Sequence, residues 1–231
     1  KPEAVLEGTF ITAMRTGAVS GVATKYLARR DAGVVGIFGA GVQAKTQLEA
    51  IKEVREVQSA ILYDIIRDKA DRFAEEMTRN LGIQVHTEDN PERIVEKTDI
   101  IVTASTSKSP VFNGDFLKSG THINAIGSFT PDARELDDSA IRRSKIVVDS
   151  LQAALEEAGD IIIPLRSGVI QRNHIYAELG EAVAGLKLGR TNDHEITVFK
   201  SVGLGIQDAA AARLAYMKAR EAKIGTNVEL M

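Results

Sequence analysis

The sequence predicts an α/β protein built on a doubly wound parallel sheet, and three observations support this. Several short apolar runs lack apolar–polar alternation, which is typical of strands that are buried on both faces. Helical segments separate most of these runs, as in consecutive βαβ units. A glycine-rich turn joins the first run, residues 34–38, to a helix that reaches about residue 54.

Helices are expected where apolar residues recur at a period near 3.6, beginning with residues 9–29. Gly17 and Gly21 lie four residues apart in this first helix and allow a backbone or a ligand to approach closely. The last helix is rich in alanine and has one apolar face. The later helices are expected at 68–80, 150–157, 179–188 and 206–222.

Strands are expected where short runs of Ile, Val, Leu and Ala occur. The pattern changes after residue 149, and residues 165–178 are interpreted as irregular. The strands after the first are expected at 60–63, 83–86, 100–103, 122–126, 146–149 and 195–199.

Composition excludes several classes of function. The 231 residues are 44% hydrophobic and 26% charged, which is ordinary for a globular protein. The formal charge is −3 with no basic run, and Trp is absent, so we expect no nucleic-acid partner. There is no apolar stretch long enough to span a membrane and no signal-peptide pattern, so we expect a cytoplasmic protein with no membrane partner.

Metal and disulfide chemistry are not expected. Cys is absent, and none of the four histidines lies at a metal-ligand spacing. His122 falls within an expected strand and is interpreted as structural. Glu156, Glu157 and Asp160 are interpreted as a solvated helix end rather than a carboxylate pair.

The pattern Gly39-x-Gly41-x-x-Ala44 predicts a dinucleotide site of the Rossmann type. The first glycine permits the tight turn, the second lets the backbone approach a pyrophosphate, and the small third residue lets helix and strand pack closely. The helix N-terminus offers free N–H groups to the phosphates. The predicted cofactor-binding residues of this turn are Gly39, Ala40, Gly41, Val42 and Gln43.

An acidic residue follows the second strand at the position that such a site requires. The carboxylate of Asp64 can accept hydrogen bonds from both hydroxyls of an adenosine ribose. It favours NAD over NADP because it repels a 2′-phosphate, although Arg67 is near enough to weaken that preference and is included among the cofactor-binding candidates. A structural turn that binds nothing, with Asp64 capping the following helix, is the alternative.

Small residues follow the fourth and fifth strands, at the edge of the sheet where ligands bind in open α/β folds. Thr103, Ala104 and Ser105 follow the fourth strand, and Gly127 and Ser128 follow the fifth. They leave room for a cofactor and are predicted to bind it. Ordinary Ser/Thr helix caps are the alternative.

Eight segments share the pattern of one protein family, in that family's order along nearly the whole chain. They are residues 15–18, 23–27, 39–44, 102–106, 120–128, 134–137, 179–181 and 199–204. The Arg-Thr-Gly and Lys-Ser-Val-Gly segments are more specific than the glycine turn. On these segments the sequence resembles the ornithine cyclodeaminase/mu-crystallin family, which includes archaeal-type alanine dehydrogenases and ketimine reductases.

The resemblance implies roles for residues outside the glycine turn. Arg15 would bind a substrate carboxylate, and Thr16 would approach the cofactor. Ser201, Val202 and Gly203 would line the nicotinamide side. A guanidinium suits the role of Arg15, since it can hold a carboxylate by two parallel hydrogen bonds. Without the resemblance, Arg15 would be interpreted as a surface residue of a helix.

The resemblance also implies a second domain that is largely missing from this chain. A family segment that supplies much of the dimer interface, together with basic substrate-binding residues, would precede Lys1. Residues 28–199 are expected to form the dinucleotide-binding domain, and residues 1–27 and 200–231 to contribute helices to the substrate and dimerisation domain. The apolar faces of 9–29 and 206–222 are expected to lack a partner within the nucleotide domain, which favours a homodimer.

One position departs from the family pattern. Cyclodeaminases and alanine dehydrogenases of the family carry a catalytic Asp in the loop after the fifth strand, where Phe129 stands here. Asp132 is nearby but matches a different position. The mu-crystallin-like reductases also lack that Asp, so Phe129 favours imine reduction over ornithine cyclisation.

The function implied is NAD(P)H-dependent oxidoreduction at the C–N bond of a small α-imino or amino acid. Ketimine reductases, pyrroline-2-carboxylate reductases and alanine dehydrogenases perform such reactions. NAD is the expected cofactor, with NADP as the alternative, and no residue is assigned as the proton donor. Ornithine cyclodeaminase, which recycles its bound NAD, and a non-catalytic NAD(P)H-binding protein stay open as rival functions.

Overall fold

A computed structural model describes residues 3–226, which form one parallel sheet of eight strands flanked by helices. The strands are β1 (Val34–Phe38), β2 (Ser59–Tyr63), β3 (Gln84–Thr87), β4 (Ile100–Thr103), β5 (His122–Ala125), β6 (Ser144–Val148), β7 (Ile175–Glu178) and β8 (Ile196–Lys200). Their order across the sheet is β3-β2-β1-β4-β5-β8-β6-β7, and every neighbouring pair is parallel. The winding reverses between β1 and β4, so the carboxyl ends of these strands border the crevice where ligands bind in doubly wound folds. The predicted fold class is confirmed.

Helices connect most successive strands and cover the sheet; β4 and β5 are joined by a loop with one short 3-10 turn, Gly114–Phe116. They are α1 (Gly8–Leu27), α2 (Val42–Lys52), α3 (Arg67–Leu81), α4 (Pro91–Lys97), α5 (Asp138–Arg143), α6 (Leu151–Glu157), α7 (Gly159–Arg166), α8 (Leu179–Val183) and α9 (Gly205–Glu221). Local signals set several of their ends. Asn90 and Asp137 cap α4 and α5 with their side chains, and Gly82 ends α3 in the left-handed conformation. None of the helices within residues 3–226 is long and apolar enough to cross a lipid bilayer.

The core lies on both faces of the sheet, because the central strands are buried throughout. Every residue of β4 and β5 is buried. Successive β4 residues enter different apolar clusters, with Ile101 in the one that includes Phe38 and its neighbours Ile100 and Val102 in the other. Burial on both faces explains why β4 is a nearly continuous apolar run in the sequence, whereas β5 also buries the polar residues His122 and Asn124.

Helix α1 packs closely on α2 and the sheet. A Cβ atom at Gly17 would lie 2.5 Å from the carbonyl oxygen of Thr46, and one at Gly21 would lie 3.1 Å from that of Ala50, so the two glycines permit the close approach that was predicted. The side chain of Leu27 is fully buried in a third cluster with residues of β6 and β8. The expectation that α1 lacks a partner within the nucleotide domain is therefore wrong.

Helix α9 contacts α1 and has no buried residue. Its apolar side chains Ile206, Leu214 and Met217 are exposed. The apolar surface that was expected on α9 is therefore exposed in the part of the chain that the structure describes.

The region after residue 158 differs most from the sequence-based expectation. Residues 175–178, interpreted as irregular, form the edge strand β7, which is mostly half-buried and therefore lacks a continuous apolar run. A helix, α7, includes Pro164, and α8 ends at Val183 rather than near residue 188. Edge position and a proline inside a short helix are both features that local sequence patterns represent poorly.

Candidate functional site

The glycine turn after β1 has the geometry that its sequence predicts. Gly39 has a φ of +101°, and a Cβ atom there would lie 2.6 Å from the carbonyl oxygen of Ala104. Its amide donates to the carbonyl of Tyr63 at 2.8 Å. Only glycine fits this backbone between the ends of β2 and β4.

The N-terminus of α2 is open at this turn. Gly41 is the N-cap residue, and no side chain caps the helix. A Cβ atom on Gly41 would have no heavy atom within 4 Å, whereas Ala44 is fully buried. Among the described residues, Oε1 of Gln43 is buried without a hydrogen-bond partner. Free N–H groups and the positive end of the helix dipole thus face an open space, which suits an anion.

Asp64 joins this turn to the start of α3. Its Oδ2 accepts a hydrogen bond from the amide of Ala40 at 2.8 Å, and its Oδ1 accepts one from the amide of Ile66 at 2.9 Å. Lys69 Nζ lies 3.4 Å from Oδ2. Burial raises the pKa of Asp64, but the two amides and Lys69 outweigh it and lower the pKa overall. Asp64 is therefore a carboxylate near neutral pH, and its hydrogen bonds stabilise the turn at the end of β2.

Among the described residues, Arg67 pairs with carboxylates other than that of Asp64. Its guanidinium forms ion pairs with Asp71 and Asp89 and donates to Thr87 Oγ1 at 2.7 Å. The structure therefore does not bring Arg67 together with the other predicted cofactor residues.

The loops that follow β4 and β5 meet at one buried carboxylate. Glu135 Oε1 accepts hydrogen bonds from the backbone N and the Oγ of Ser105 at 2.7 and 2.6 Å. Glu135 Oε2 accepts one from the amide of Gly127 at 2.8 Å. Burial raises the pKa of Glu135, opposed by the hydrogen bonds from Ser105 and the charge of Lys200.

The backbone also ties these two loops to the sheet. The amide of Ala104 donates to the carbonyl of Phe38 at 2.9 Å, and the amide of Gly127 donates to that of Thr103 at 3.0 Å. Within residues 3–226, Thr103 Oγ1 is buried with no hydrogen-bond partner. The predicted residues Thr103, Ala104, Ser105, Gly127 and Ser128 thus lie together at one edge of the sheet.

A buried ion pair lies behind these loops. Lys200 Nζ lies 2.9 Å from Asp160 Oδ2, and neither side chain has exposed surface. Lys200 Nζ also donates to the carbonyl of Ser128. Asp160 Oδ1 accepts hydrogen bonds from the amides of Glu135 and Leu136 at 2.7 and 2.9 Å.

The expectation that Asp160 belongs to a solvated helix end is wrong. Glu156 and Glu157 are exposed, as expected, but Asp160 turns inward at the start of α7. Its burial is stabilised by Lys200 and by the backbone amides of Glu135 and Leu136. These partners lie far from Asp160 in the sequence, so local patterns do not reveal them.

The loop after β8 is fixed by Asp149. Asp149 Oδ2 accepts hydrogen bonds from Ser201 Oγ at 2.8 Å and from the amides of Val202 and Gly203 at 2.9 and 2.8 Å. This carboxylate directly follows β6, the neighbour of β8 in the sheet. The residues predicted to line the nicotinamide side are thereby held in one conformation.

Arg15 lies against this same loop. A Cβ atom at Gly203, whose φ is +92°, would lie 2.5 Å from Arg15 Nη1. Arg15 Nε donates to Asp208 Oδ1, and Nη1 donates to Gln207 Oε1, both at 3.0 Å. Nη2 makes no hydrogen bond to any residue in 3–226 and is the part of the guanidinium left for a further acceptor.

Thr16 is placed differently from the other predicted residues. Its Oγ1 donates to the carbonyl of Thr12 at 2.7 Å, within its own helix. Its carbonyl accepts a hydrogen bond from Gln47 Nε2 on α2 at 3.1 Å. The described contacts of Thr16 join α1 to α2.

His122 agrees with its interpretation as a structural residue. His122 is fully buried, with Nδ1 2.9 Å from Thr197 Oγ1 and Nε2 3.3 Å from Asn124 Oδ1. Burial lowers its pKa to about 3, so it is neutral and structural. Phe129 and Asp132 are exposed on the loop after β5. Within residues 3–226, no group of three or more His, Asp or Glu residues is arranged to hold a metal ion.

Several residues of this site were missed in the sequence. Glu135 and Lys200 lie within segments quoted for the family resemblance, and Asp149 directly follows a strand, which is a usable signal. Asp208 has no comparable signal, because only the packing of α9 on α1 brings it to Arg15.

Comparisons with known proteins identify the family of this chain. The sequence profile of the ornithine cyclodeaminase/mu-crystallin family matches residues 1–223. A Δ1-pyrroline-2-carboxylate reductase of Bacillus cereus is 45% identical over 230 residues, which are 99% of this chain and 70% of that protein.

Two solved structures are similar over nearly the whole chain. The Δ1-pyrroline-2-carboxylate reductase of Thermococcus litoralis, in complex with NADH and L-proline, is 57% identical with a TM-score of 0.97, over 98% of this chain and 70% of that one. An archaeal alanine dehydrogenase dimer with bound NAD is 38% identical with a TM-score of 0.95, over 100% of this chain and 71% of that one. The chain thus spans about 70% of the length of these relatives. The profile match, these identities and the shared fold together show that this chain belongs to the ornithine cyclodeaminase/mu-crystallin family.

Proposed function

We propose that this chain carries the cofactor site and part of the substrate site of an NADH-dependent reductase of small cyclic α-imino acids, with Δ1-pyrroline-2-carboxylate as substrate and L-proline as product. The observation that carries the proposal is the convergence of Arg15, the 201–203 loop and the open α2 N-terminus on one edge of the sheet. The relative bound to NADH and L-proline, at 57% identity, supports the choice of ligands.

The geometry of the site suits a dinucleotide independently of the relatives. The space at Gly41 is open to a backbone-bound phosphate, and the α2 N-terminus has no side-chain cap. Buried oxygens of Gln43 and Thr103 lack partners among residues 3–226, and each can accept a hydrogen bond from a bound ligand. The proposed cofactor residues are the predicted ones of the turn, the β4 and β5 loops and the 201–203 loop, with Asp64 at the ribose.

NADH is the proposed form of the cofactor. The lowered pKa of Asp64 keeps a negative charge at the end of β2, which would repel a 2′-phosphate. Arg67 already pairs with two carboxylates, so it offers little charge to offset that repulsion. We leave Arg67 and Thr16 outside the proposed cofactor contacts.

Arg15 is proposed to bind the substrate carboxylate through Nη2, while Asp208 and Gln207 hold the rest of its guanidinium in place. Bound NADH supplies a hydride to the imine carbon. The electrons of the C=N double bond move to the already protonated nitrogen, and the resulting secondary amine takes a proton from water. The chain therefore needs to orient the substrate and exclude side reactions more than it needs a strong acid or base.

The exposed loop at Phe129 agrees with this chemistry. A phenyl ring cannot accept or donate a proton, and Asp132 is exposed to solvent. This arrangement favours reduction over ornithine cyclisation, in which family members use an Asp at the aligned position.

A spectrophotometric panel tests the proposal. We expect NADH oxidation with Δ1-pyrroline-2-carboxylate, weaker or no oxidation with Δ1-piperideine-2-carboxylate, and little with pyruvate plus ammonia. Turnover of pyruvate with ammonia alone would indicate an alanine dehydrogenase. Ammonia release from ornithine without net NADH formation would indicate a cyclodeaminase, and NADH binding with no turnover would indicate a binding protein.

We also propose a cytoplasmic homodimer, with α1 and α9 contributing to a substrate and dimerisation domain. Phe10 on α1 and Ile206 and Leu214 on α9 expose apolar surface, and one relative is a dimer. Sedimentation of the protein should show at least a dimer, and a monomer at all concentrations would contradict this.

A further inference from the structure

Three buried charged side chains lie beneath the carboxyl edge of the sheet. Glu135, Asp160 and Lys200 have no exposed surface, and we refer to them as the buried triad. Lys200 forms an ion pair with Asp160, and Asp160 in turn accepts a hydrogen bond from the backbone amide of Glu135. The triad is continuous from the start of α7 to the end of β8.

Each end of the triad holds a different loop. Glu135 binds Ser105 of the β4 loop with one carboxylate oxygen and Gly127 of the β5 loop with the other. Lys200 binds the Ser128 carbonyl and itself leads into the 201–203 loop. All of these loops belong to the proposed cofactor site, and the 201–203 loop is the one proposed to line the nicotinamide side.

Stability alone gives a weak reason for such an arrangement. Buried ions lose their hydration, and well-packed apolar replacements are often neutral or stabilising. The contacts of Glu135 are directional and leave little room for change. A Cβ atom at Gly127 would lie 2.5 Å from both of its carboxylate oxygens.

The Glu135 carboxylate accepts three hydrogen bonds, which come from the backbone amides of Ser105 and Gly127 and from the hydroxyl of Ser105. A glutamine of the same shape would place an N–H group against one of those donors. Its carbonyl oxygen could still accept from Ser105, but Nε2 would then face the amide of Gly127, and one loop would be released.

We infer that Glu135 is a positioning residue, which fixes the β4 and β5 loops relative to each other so that the nicotinamide ring is held for hydride transfer. The inference rests on the proposed function. Glu135 acts through Ser105 and Gly127, and none of its carboxylate's hydrogen bonds within residues 3–226 reaches Gly39–Gln43 or Asp64, where the adenosine and pyrophosphate are proposed to bind.

The test compares two ligands that differ only in the nicotinamide end. NADH and ADP-ribose are titrated by calorimetry against the wild-type chain, Glu135→Gln, and the control Glu157→Gln, which alters an exposed glutamate of α6. For Glu135→Gln we expect NADH affinity to fall on the order of tenfold, as for one lost charged hydrogen bond, and ADP-ribose affinity to stay within about twofold. With Δ1-pyrroline-2-carboxylate, kcat should fall more than KM changes, and the isotope effect with 4-deuterated NADH should increase as hydride transfer becomes slower. The control should match the wild type.

A purely structural role predicts a different result. Equal loss of NADH and ADP-ribose affinity, or no change in either, would overturn the inference. If Glu135→Gln does not fold, Ser105→Ala, which removes one hydroxyl and keeps both amides, should show the same split more weakly, and its absence would count equally against the inference. A wild-type chain that binds neither ligand would instead contradict the proposed function.

Discussion

Asp64 illustrates how one residue serves two purposes. It accepts hydrogen bonds from two backbone amides, which fixes the turn, and it keeps a negative charge at the end of β2, where we propose that the ribose binds. Replacing Asp64 with Asn removes that charge at nearly constant shape, so the preference for NADH over NADPH should fall by roughly tenfold, equivalent to about 1.4 kcal/mol. Titration of both cofactors measures this. Asp68→Asn, an exposed acid one turn away, should leave the ratio unchanged; a wild-type preference for NADPH would contradict the role of Asp64.

Arg15 is the residue on which substrate binding depends in this account. Loss of a charged hydrogen-bonded contact typically costs ~1.5–3 kcal/mol, so Arg15→Ala should lower kcat/KM by roughly ten- to a hundredfold. Arg15→Lys keeps the positive charge but loses the planar fork, so substrate binding should still weaken. NADH affinity and thermal stability should hardly change in either variant, because the pyrophosphate site is separate. Arg30→Ala, at an exposed arginine beyond α1, serves as the control. Parallel loss of NADH binding and stability would show that Arg15 is a packing residue.

The low pKa of buried His122 predicts that the free energy of unfolding depends on pH. Its pKa is about 3 in the folded chain because it is buried, well below the ordinary histidine value of 6.5. The unfolded chain therefore binds a proton that the folded chain does not, and stability falls as pH decreases from about 6.5 towards 3, by at most ~1.4 kcal/mol per pH unit from this residue. Urea unfolding at several pH values should show a shallower decline for His122→Gln than for the wild type. Identical slopes would contradict the assignment.

At the scale of elements, the crossing of α1 and α2 is the most constrained contact. A methyl group at Gly17 would meet the backbone of Thr46, so Gly17→Ala should destabilise the chain by about 1–3 kcal/mol. For a chain of this size each kcal/mol lowers Tm by about 2–4 °C. Gly8→Ala, where a Cβ meets nothing within 4 Å, is the matched control and should not lower Tm. An unchanged Tm for Gly17→Ala would show that the crossing can adjust.

The elements also show which parts of the fold the sequence predicts. Strands β1 and β4 are short apolar runs because both faces of the sheet are covered there. The positions expected for β1, β2, β4, β5 and β6 are confirmed within one or two residues. The half-buried edge strand β7 has no such pattern and was missed.

Likewise, only part of the candidate site could be predicted from the sequence. The glycine turn and Asp64 could be predicted because their spacing along the chain is local. The buried triad and the pair Arg15–Asp208 join residues far apart in sequence, so only the folded structure brings them together.

At the scale of the whole molecule, one edge of the sheet collects every group that the proposed reaction uses. The open α2 N-terminus, Asp64, the loops held by Glu135 and Asp149, and Arg15 all lie around the carboxyl ends of β1, β2, β4, β5 and β8. The sheet and its covering helices form a rigid support, and the chemistry depends on the loops that leave it.

The most direct test of this account follows the hydride itself. The protein is incubated with Δ1-pyrroline-2-carboxylate and NADH deuterated at the transferred C4 position, and the product is analysed by mass spectrometry and NMR. The account predicts L-proline that carries one deuterium at the α-carbon, formed in equal amount with NAD+. Consumption of the imine without deuterium in proline, or no consumption of NADH with this substrate, would contradict the assignment of an NADH-dependent imino acid reductase.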